Sequence, residues 1–315
     1  MAGRLRALDS KDNYLLTNRS VYASVWWKST LKATSMSDTI LTQAHDKWVE
    51  IRLNRPTRLN SFNEEMHIAF RAALESARDS GARAILITGS GRGFCAGQDL
   101  GDRDPSKMAS PPDLSSTLSK FYNPLIRLIR SLNFPVICAV NGVAAGAGAN
   151  IALACDIVLA ADSAKFIQSF SKVGLVPDAG GSWSLPNLLG EARAKGLALT
   201  ATPLSAAKAE EWGMIWKAVP DDTLMQEARA LAKSLANGPT IGLGLTKMAI
   251  QAASENTLDE QLDLEAHYQK ACGETSDYAE GVSAFLQKRP PVFTGENHDP
   301  QRTCREISDG YVVER

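Results

Sequence analysis

Residues 135–149 read PVICAVNGVAAGAGA, and the order of residue types in this stretch decides the fold. Val136–Val140 is an unbroken apolar run, which predicts a strand buried in a sheet. A turn of small residues follows, from Gly142 to Asn150, and Gly148–Cys155 then reads as a short helix. The same sequence of events occurs earlier. Arg83–Thr88 (RAILIT) predicts a buried strand, closed by the glycine-rich GSGRGFCAGQD. Small residues at strand ends let a ligand approach the backbone, and free N–H groups there can face it. Either turn alone is explained as a tight turn without function. Two on neighbouring strands are better explained as paired backbone donors that stabilise an oxyanion. A dinucleotide fingerprint is the competing reading of Gly146–Ile151, but Ile151 stands where the third Gly or Ala belongs.

Working outward, Lys47–Leu53 (KWVEIRL) alternates apolar and polar residues, as a half-buried strand does. Asn63 precedes EEMHIAFRAALESARDS, an amphipathic helix with Asn63 as its N-cap and acids in its first turn. Ser116–Ser131 predicts a helix, and Asp156–Ala160 and Ala164–Gln168 predict strands. Beyond Asp178 the pattern turns helical: Glu191–Thr200, Ser205–Trp212, Leu224–Asn237, Thr240–Ser254, Leu258–Cys272 and Ser276–Lys288. Strand–helix alternation followed by a helical region defines an α/β core with an appended helical part. No repeat of about 20–50 residues is present.

Composition narrows the function classes. The 315 residues are 44% hydrophobic and 22% charged with a net charge of −1, which excludes the basic excess of a nucleic-acid partner. No apolar run approaches the roughly 18–20 residues that span a membrane. Five cysteines show no CxxC spacing and read as inert thiols in a reducing compartment, hence a cytoplasmic protein. Four scattered histidines form no HExxH, so no metal site is expected. Residues 1–37 are basic and rich in Ser and Thr, and read as an extended leader or an upstream translation artefact. Met36 is a plausible second start, and an organellar transit peptide is the disfavoured alternative. Residues 296–315 read as a loose tail.

Asp178, in GLVPDAGGSW (174–183), is the ambiguous residue. Pro-Asp-x-Gly is ordinary loop chemistry and Asp caps helices well, so a turn residue and cap is one reading. A lone catalytic acid/base is the other.

The blocks GFCAGQDL (93–100), PVICAVNGVAAGAG (135–148), ACDIVLAADSAKF (154–166) and GLVPDAGG (174–181) resemble the crotonase, or enoyl-CoA hydratase/isomerase, superfamily over about residues 38–295. The resemblance implies a spiral of ββα units over 38–235 and a C-terminal helical region, 236–295, that mediates trimers or hexamers. It implies an acyl-CoA substrate, with coenzyme A part of that substrate and no separate cofactor. The backbone N–H groups of Gln98 and Ala147 would hold a thioester enolate, with Ala96, Gly97, Asp99 and Gly146 around them. Phe285 and Lys288 would reach CoA from a neighbouring subunit. Arg58 would meet the CoA phosphates, a solvated loop arginine being the alternative.

Family hydratases add water with two glutamates, which align with Asn150 and Phe170 here. Neither residue can act as a base, so hydration is disfavoured. Family isomerases carry a catalytic aspartate where Asp178 stands, and the apolar Leu175, Val176, Pro177 and Phe170 should raise its pKa by desolvation. LNRPTRLNSFNEEMH (53–67), GRGFCAGQDLGDR (91–103) and EGVSAFLQKRPPVFTG (280–295) further resemble the isomerases of bacterial phenylacetate degradation. That likeness implies conversion of the ring epoxide of phenylacetyl-CoA to an oxepin-CoA, with double-bond shifts in other unsaturated thioesters. Tyr122, Asn150 and Phe170 are candidates to line the pocket, as are Phe121 and Trp183, with structural core the alternative for each aromatic. Two other readings stay open: a general Δ3,Δ2-enoyl-CoA isomerase or hydratase of fatty-acid oxidation, and a non-catalytic binding protein of the same fold.

Overall fold

The structure, a computed structural model, describes residues 37–103 and 110–296. The expected leader up to residue 36 and the tail from 297 lie outside the described residues.

The chain enters through an antiparallel pair, β1 (Ile40–Ala44) and β2 (Trp48–Leu53). Helix α1 (Glu64–Asp79) crosses next, and the Asn63 side chain accepts the Met66 N–H at 3.0 Å as its cap. It leads into β3 (Ala84–Gly89), parallel to β2. From here strands come in pairs. β3 is followed by β4 (Gly93–Cys95), β5 (Val136–Val140) by β6 (Val143–Ala145), and β7 (Ile157–Ala161) by β8 (Lys165–Ile167). The first of each pair joins a six-stranded sheet in the order β1-β2-β3-β5-β7-β10, closed by β10 (Lys217–Val219). The second joins a four-stranded sheet, β4-β6-β8-β9, ending in β9 (Leu204–Ser205). Each turn of this ββα spiral therefore feeds both sheets. β3 and β5 are buried along their whole length, which is why they read as unbroken apolar runs.

The helix expected over 116–131 is two helices, α2 (Leu114–Thr117) and α3 (Asn123–Ser131), joined by a π segment, Leu118–Tyr122. Pro124 has no N–H to continue an α register, and the Asn123 N–H reaches back five residues to the Leu118 carbonyl. After β6 comes α4 (Ala147–Leu153), which begins one residue earlier than the pattern suggests. Helix α5 (Gly181–Leu189) follows Asp178, then α6 (Glu191–Thr200), α7 (Ala206–Glu211) and α8 (Leu224–Ala236). Of the last three helices, α9 (Thr240–Ala252) and α10 (Leu258–Gly273) share a separate apolar cluster around Leu245, Leu264 and Tyr268, and α11 (Ser276–Leu286) follows them. Buried Lys247 ties α9 to the core, donating to the Ile129 carbonyl at 3.1 Å and pairing with Asp156 at 2.9 Å.

Candidate active site

Because β4 and β6 are parallel neighbours, the turns that leave them lie side by side on one sheet edge. The approach is close. Gly97 has φ +88°, and a Cβ there would sit 2.9 Å from the Ala145 carbonyl oxygen and 3.3 Å from the Ala147 nitrogen. Gly146, at φ +54°, turns the chain from β6 into α4. Ala147 is the first residue of that helix, so its N–H has no intrahelical acceptor. Among the described residues neither the Gln98 nor the Ala147 backbone N–H donates to a backbone carbonyl. The Gln98 side chain points elsewhere. Its amide donates to the Phe62 carbonyl at 3.0 Å and accepts from the Tyr122 hydroxyl at 3.1 Å.

These turns open onto a cavity of about 400 Å³ that also meets Tyr122, Phe170, Leu175, Val176, Pro177 and Asp178. The segment carrying Asp178 is held by its backbone. The Asp178 carbonyl accepts the Gly181 N–H at 2.8 Å and the Asn150 side-chain amide at 2.8 Å. Asn150 in turn accepts from Gln168 Nε2 at 2.9 Å. The cap of α5 is Gly180, with no side-chain cap bond, so the Asp178 carboxylate does not cap the helix. Its Oδ1 is buried without a hydrogen-bond partner. Desolvation pushes the Asp178 pKa up to about 6, against the pull of the Arg103 guanidinium.

The anticipated residues divide by position. Ala96, Gly97, Gln98, Gly146, Ala147, Tyr122, Phe170 and Asp178 meet at the one cavity. Asn150 does not line it: at 1% exposure it lies behind the wall and positions the Asp178 loop. Asp99 is taken up by an ion pair with Arg55 at 2.9 Å and by the Gly101 N–H. Arg58 is exposed on the short 3-10 turn Pro56–Arg58, outside the cavity lining. Phe121 stacks on His67 at 5.0 Å, Trp183 lies under the Arg130 guanidinium at 4.5 Å, and neither is among the residues that line the cavity. Phe285 and Lys288 are not brought to this site within one chain. Phe285 is 82% exposed beside a second, apolar cavity of about 400 Å³, with Tyr278, Val282 and Phe293.

Sequence reasoning missed three members. Arg103 lines the cavity from a 3-10 turn, Gly101–Arg103, whose polar sequence gives no periodic signal. Gln168 reads only as a strand end, yet it fixes Asn150. Lys172 stands on the cavity rim. Burial pushes the Cys95 thiol up to about 12, which leaves it a neutral packing group and no nucleophile. Among the described residues no group of three or more His, Cys, Asp or Glu side chains could hold a metal ion. Nor is any described helix long and apolar enough to cross a membrane.

The Gln98 and Ala147 turns and one desolvated carboxylate thus line a single small cavity. The enoyl-CoA hydratase/isomerase family model matches residues 44–296, and the chain belongs to that family. It is 56% identical to the 1,2-epoxyphenylacetyl-CoA isomerase of Escherichia coli, over 83% of this chain and 100% of that protein. It is 48% identical to a probable enoyl-CoA hydratase of Rhodobacter capsulatus, over 82% of this chain and 98% of the relative. Among solved structures, a putative enoyl-CoA hydratase from Streptomyces coelicolor superposes with a TM-score of 0.77 at 32% identity, covering 84% of this chain and 97% of that one.

Proposed function

We propose that this chain isomerises acyl-CoA thioesters, taking 2-(1,2-epoxy-1,2-dihydrophenyl)acetyl-CoA to oxepin-CoA. The observation that carries the proposal is that Asp178 lines one cavity with Gln98 and Ala147 and, among the described residues, is the only carboxylate that lines it; the resemblance puts Asn150 and Phe170 where hydratases carry glutamates. The 56% identity to an isomerase with this substrate in its name supports the choice of substrate.

In chemical terms the epoxide opens by breaking the ring C–C bond under its oxygen, giving a seven-membered ether. Asp178 then takes a proton from the methylene beside the thioester, and the electrons move to the thioester oxygen, held by the Gln98 and Ala147 N–H groups. When the enolate collapses, an exocyclic double bond forms, and the ring carbon two atoms away takes the proton back from Asp178. Nothing is gained or lost overall, so one carboxylate suffices. A 3-enoyl-CoA becoming a 2-enoyl-CoA needs the same allylic transfer, so double-bond shifts in simple unsaturated thioesters belong to the same site.

The test is turnover of the ring-epoxide thioester by the wild type and by Asp178→Asn, followed by chromatography with diode-array detection because substrate and product share one mass. Full turnover by the Asn variant would overturn the mechanism. Activity on 3-enoyl-CoA alone would make this a general Δ3,Δ2-enoyl-CoA isomerase, and a product one water heavier would restore the hydratase reading. We also propose a trimer or hexamer, supported by the exposed Phe285 and Leu286 on α11, and checked by light scattering on the eluting protein. Among the described residues the cysteines are free, with Cys95, Cys138 and Cys155 buried, which fits a cytoplasmic location.

A further inference from the structure

Arg103 is a charged cavity residue that the proposed chemistry leaves unused. It reaches the cavity from the turn after the Gln98 loop, and its Nη2 donates to Thr117 Oγ1, at the end of α2, at 3.0 Å. That bond holds the guanidinium in place among Leu100, Leu114 and Leu118, which share the wall. Thr117 is its single side-chain partner among the described residues, and that bond uses one of the five N–H donors of a guanidinium. Asp178 lines the same cavity and feels the Arg103 charge, yet the two form no ion pair, and Asp178 Oδ1 has no hydrogen-bond partner among the described residues. A cation and a carboxylate held apart across one cavity leave a gap between them for a molecule that satisfies both.

An arginine facing apolar walls is stabilised by an acceptor on its ligand, and its fixed fork of donors makes it selective for one that carries an oxygen there. The thioester oxygen is already assigned to the Gln98 and Ala147 amides. Resting on the proposed function, we infer that Arg103 is a specificity-determining residue whose guanidinium donates to the ring oxygen of the substrate, so that the site distinguishes oxygen-bearing acyl groups from plain enoyl chains. Arg103 stays protonated throughout. Its hydrogen bond follows the oxygen from the epoxide to the seven-membered ether, while the C–C bond under that oxygen breaks and both C–O bonds stay intact. Asp178, on the other side, handles the proton. Thr117 acts through Arg103 as a positioning residue.

The experiment compares wild type, Arg103→Gln, Arg103→Lys and Thr117→Val on ring-epoxide-CoA and on 3-hexenoyl-CoA, which has no oxygen beyond the thioester. Assays at pH 8.5 keep Asp178 ionised in every variant, so loss of the neighbouring charge does not change its protonation. The expected result is a fall of about 10- to 100-fold in the ratio of kcat/KM, epoxide over hexenoyl, for Arg103→Gln, the size of a lost charged hydrogen bond. Arg103→Lys should recover part of the ratio, and Thr117→Val should shift it in the same direction as Arg103→Gln by less. Residual hexenoyl turnover shows that each variant is folded. Equal losses on both substrates, as expected if Arg103 held the CoA moiety or only the fold, overturn the inference, and so does an unchanged ratio. A wild type inactive on the epoxide but active on 3-hexenoyl-CoA overturns the proposed function and this inference together.

Discussion

The side-chain amide of Asn150 donates to the backbone carbonyl of Asp178 at 2.8 Å, while its own oxygen accepts from Gln168 at 2.9 Å. Asn150 therefore holds the loop of the one carboxylate that lines the cavity among the described residues. The contact is tight on the far side as well, because a Cβ on Gly181 would run into the Asn150 amide. Replacement of Asn150 by Ala leaves the buried Gln168 amide without its acceptor, at a cost of about 1–3 kcal/mol. It also frees the Asp178 loop, and a misplacement of about 1 Å can lower kcat by on the order of 10²-fold. KM should change little, because neither side chain lines the cavity. Steady-state kinetics beside thermal melts check both parts, and an Asn150→Ala enzyme with normal kcat would remove Asn150 from the positioning role.

Asp178→Asn separates catalysis from stability. Removing the base should lower kcat by about 10²–10⁴-fold. The native state should become more stable near pH 8. Burial raises the Asp178 pKa to about 6, so the folded protein binds this proton more tightly than the unfolded chain does. The stability that follows from it is fully present below the ordinary aspartate pKa of 3.8 and is lost as pH rises through about 6. At pH 8 the wild type therefore carries a penalty on the order of 1–3 kcal/mol that an amide avoids. Melting curves at pH 8 and pH 4 should show the Asn variant ahead at the first and level at the second.

The same raised pKa sets the pH dependence of the reaction. Asp178 must be ionised to take the first proton, so kcat/KM should rise tenfold per unit below about pH 6 and level off above it. Arg103 holds that value down by its charge, so Arg103→Gln should move the rise to higher pH. A profile flat from pH 5 to pH 8 would exclude Asp178 as the base.

The middle of the large sheet was legible, though not its edge strands β1 and β10, because β3 and β5 are long enough, and buried enough, to leave continuous apolar runs. Asn63 and the acids after it marked the start of α1 for the same reason, since a cap is a local feature. Of the small sheet only β8 was legible, within the strand expected over Ala164–Gln168. β4 and β6 have three residues each, too few for any period, and their small side chains read as turns. Helix α5 was hidden by its opening glycine and by Pro186. At the site, Gln98, Ala147 and Asp178 came from residue blocks that lie close to the chemistry in sequence. Arg103, Gln168 and the role of Asn150 depend on contacts between distant segments, for which one sequence carries no local signal.

Gly97 tests whether the two turns work as a unit. Its φ of +88° is left-handed, and an added Cβ would stand 2.9 Å from the Ala145 carbonyl, closer than real Cβ atoms come. Gly174 provides the comparison, with φ +72° and nothing within 4 Å of the same Cβ. Alanine at Gly174 should cost only backbone strain, on the order of 1 kcal/mol, and leave kcat near normal. Alanine at Gly97 adds the collision, which can be relieved only by moving the β4 turn away from the β6 turn. That motion separates the Gln98 and Ala147 amides, and loss of one oxyanion donor lowers kcat by about 10²–10³-fold. Melting temperatures and kcat measured for both variants distinguish strain from misaligned donors. Similar kcat values for Gly97→Ala and Gly174→Ala would show that the spacing of the two amides does not matter to the reaction.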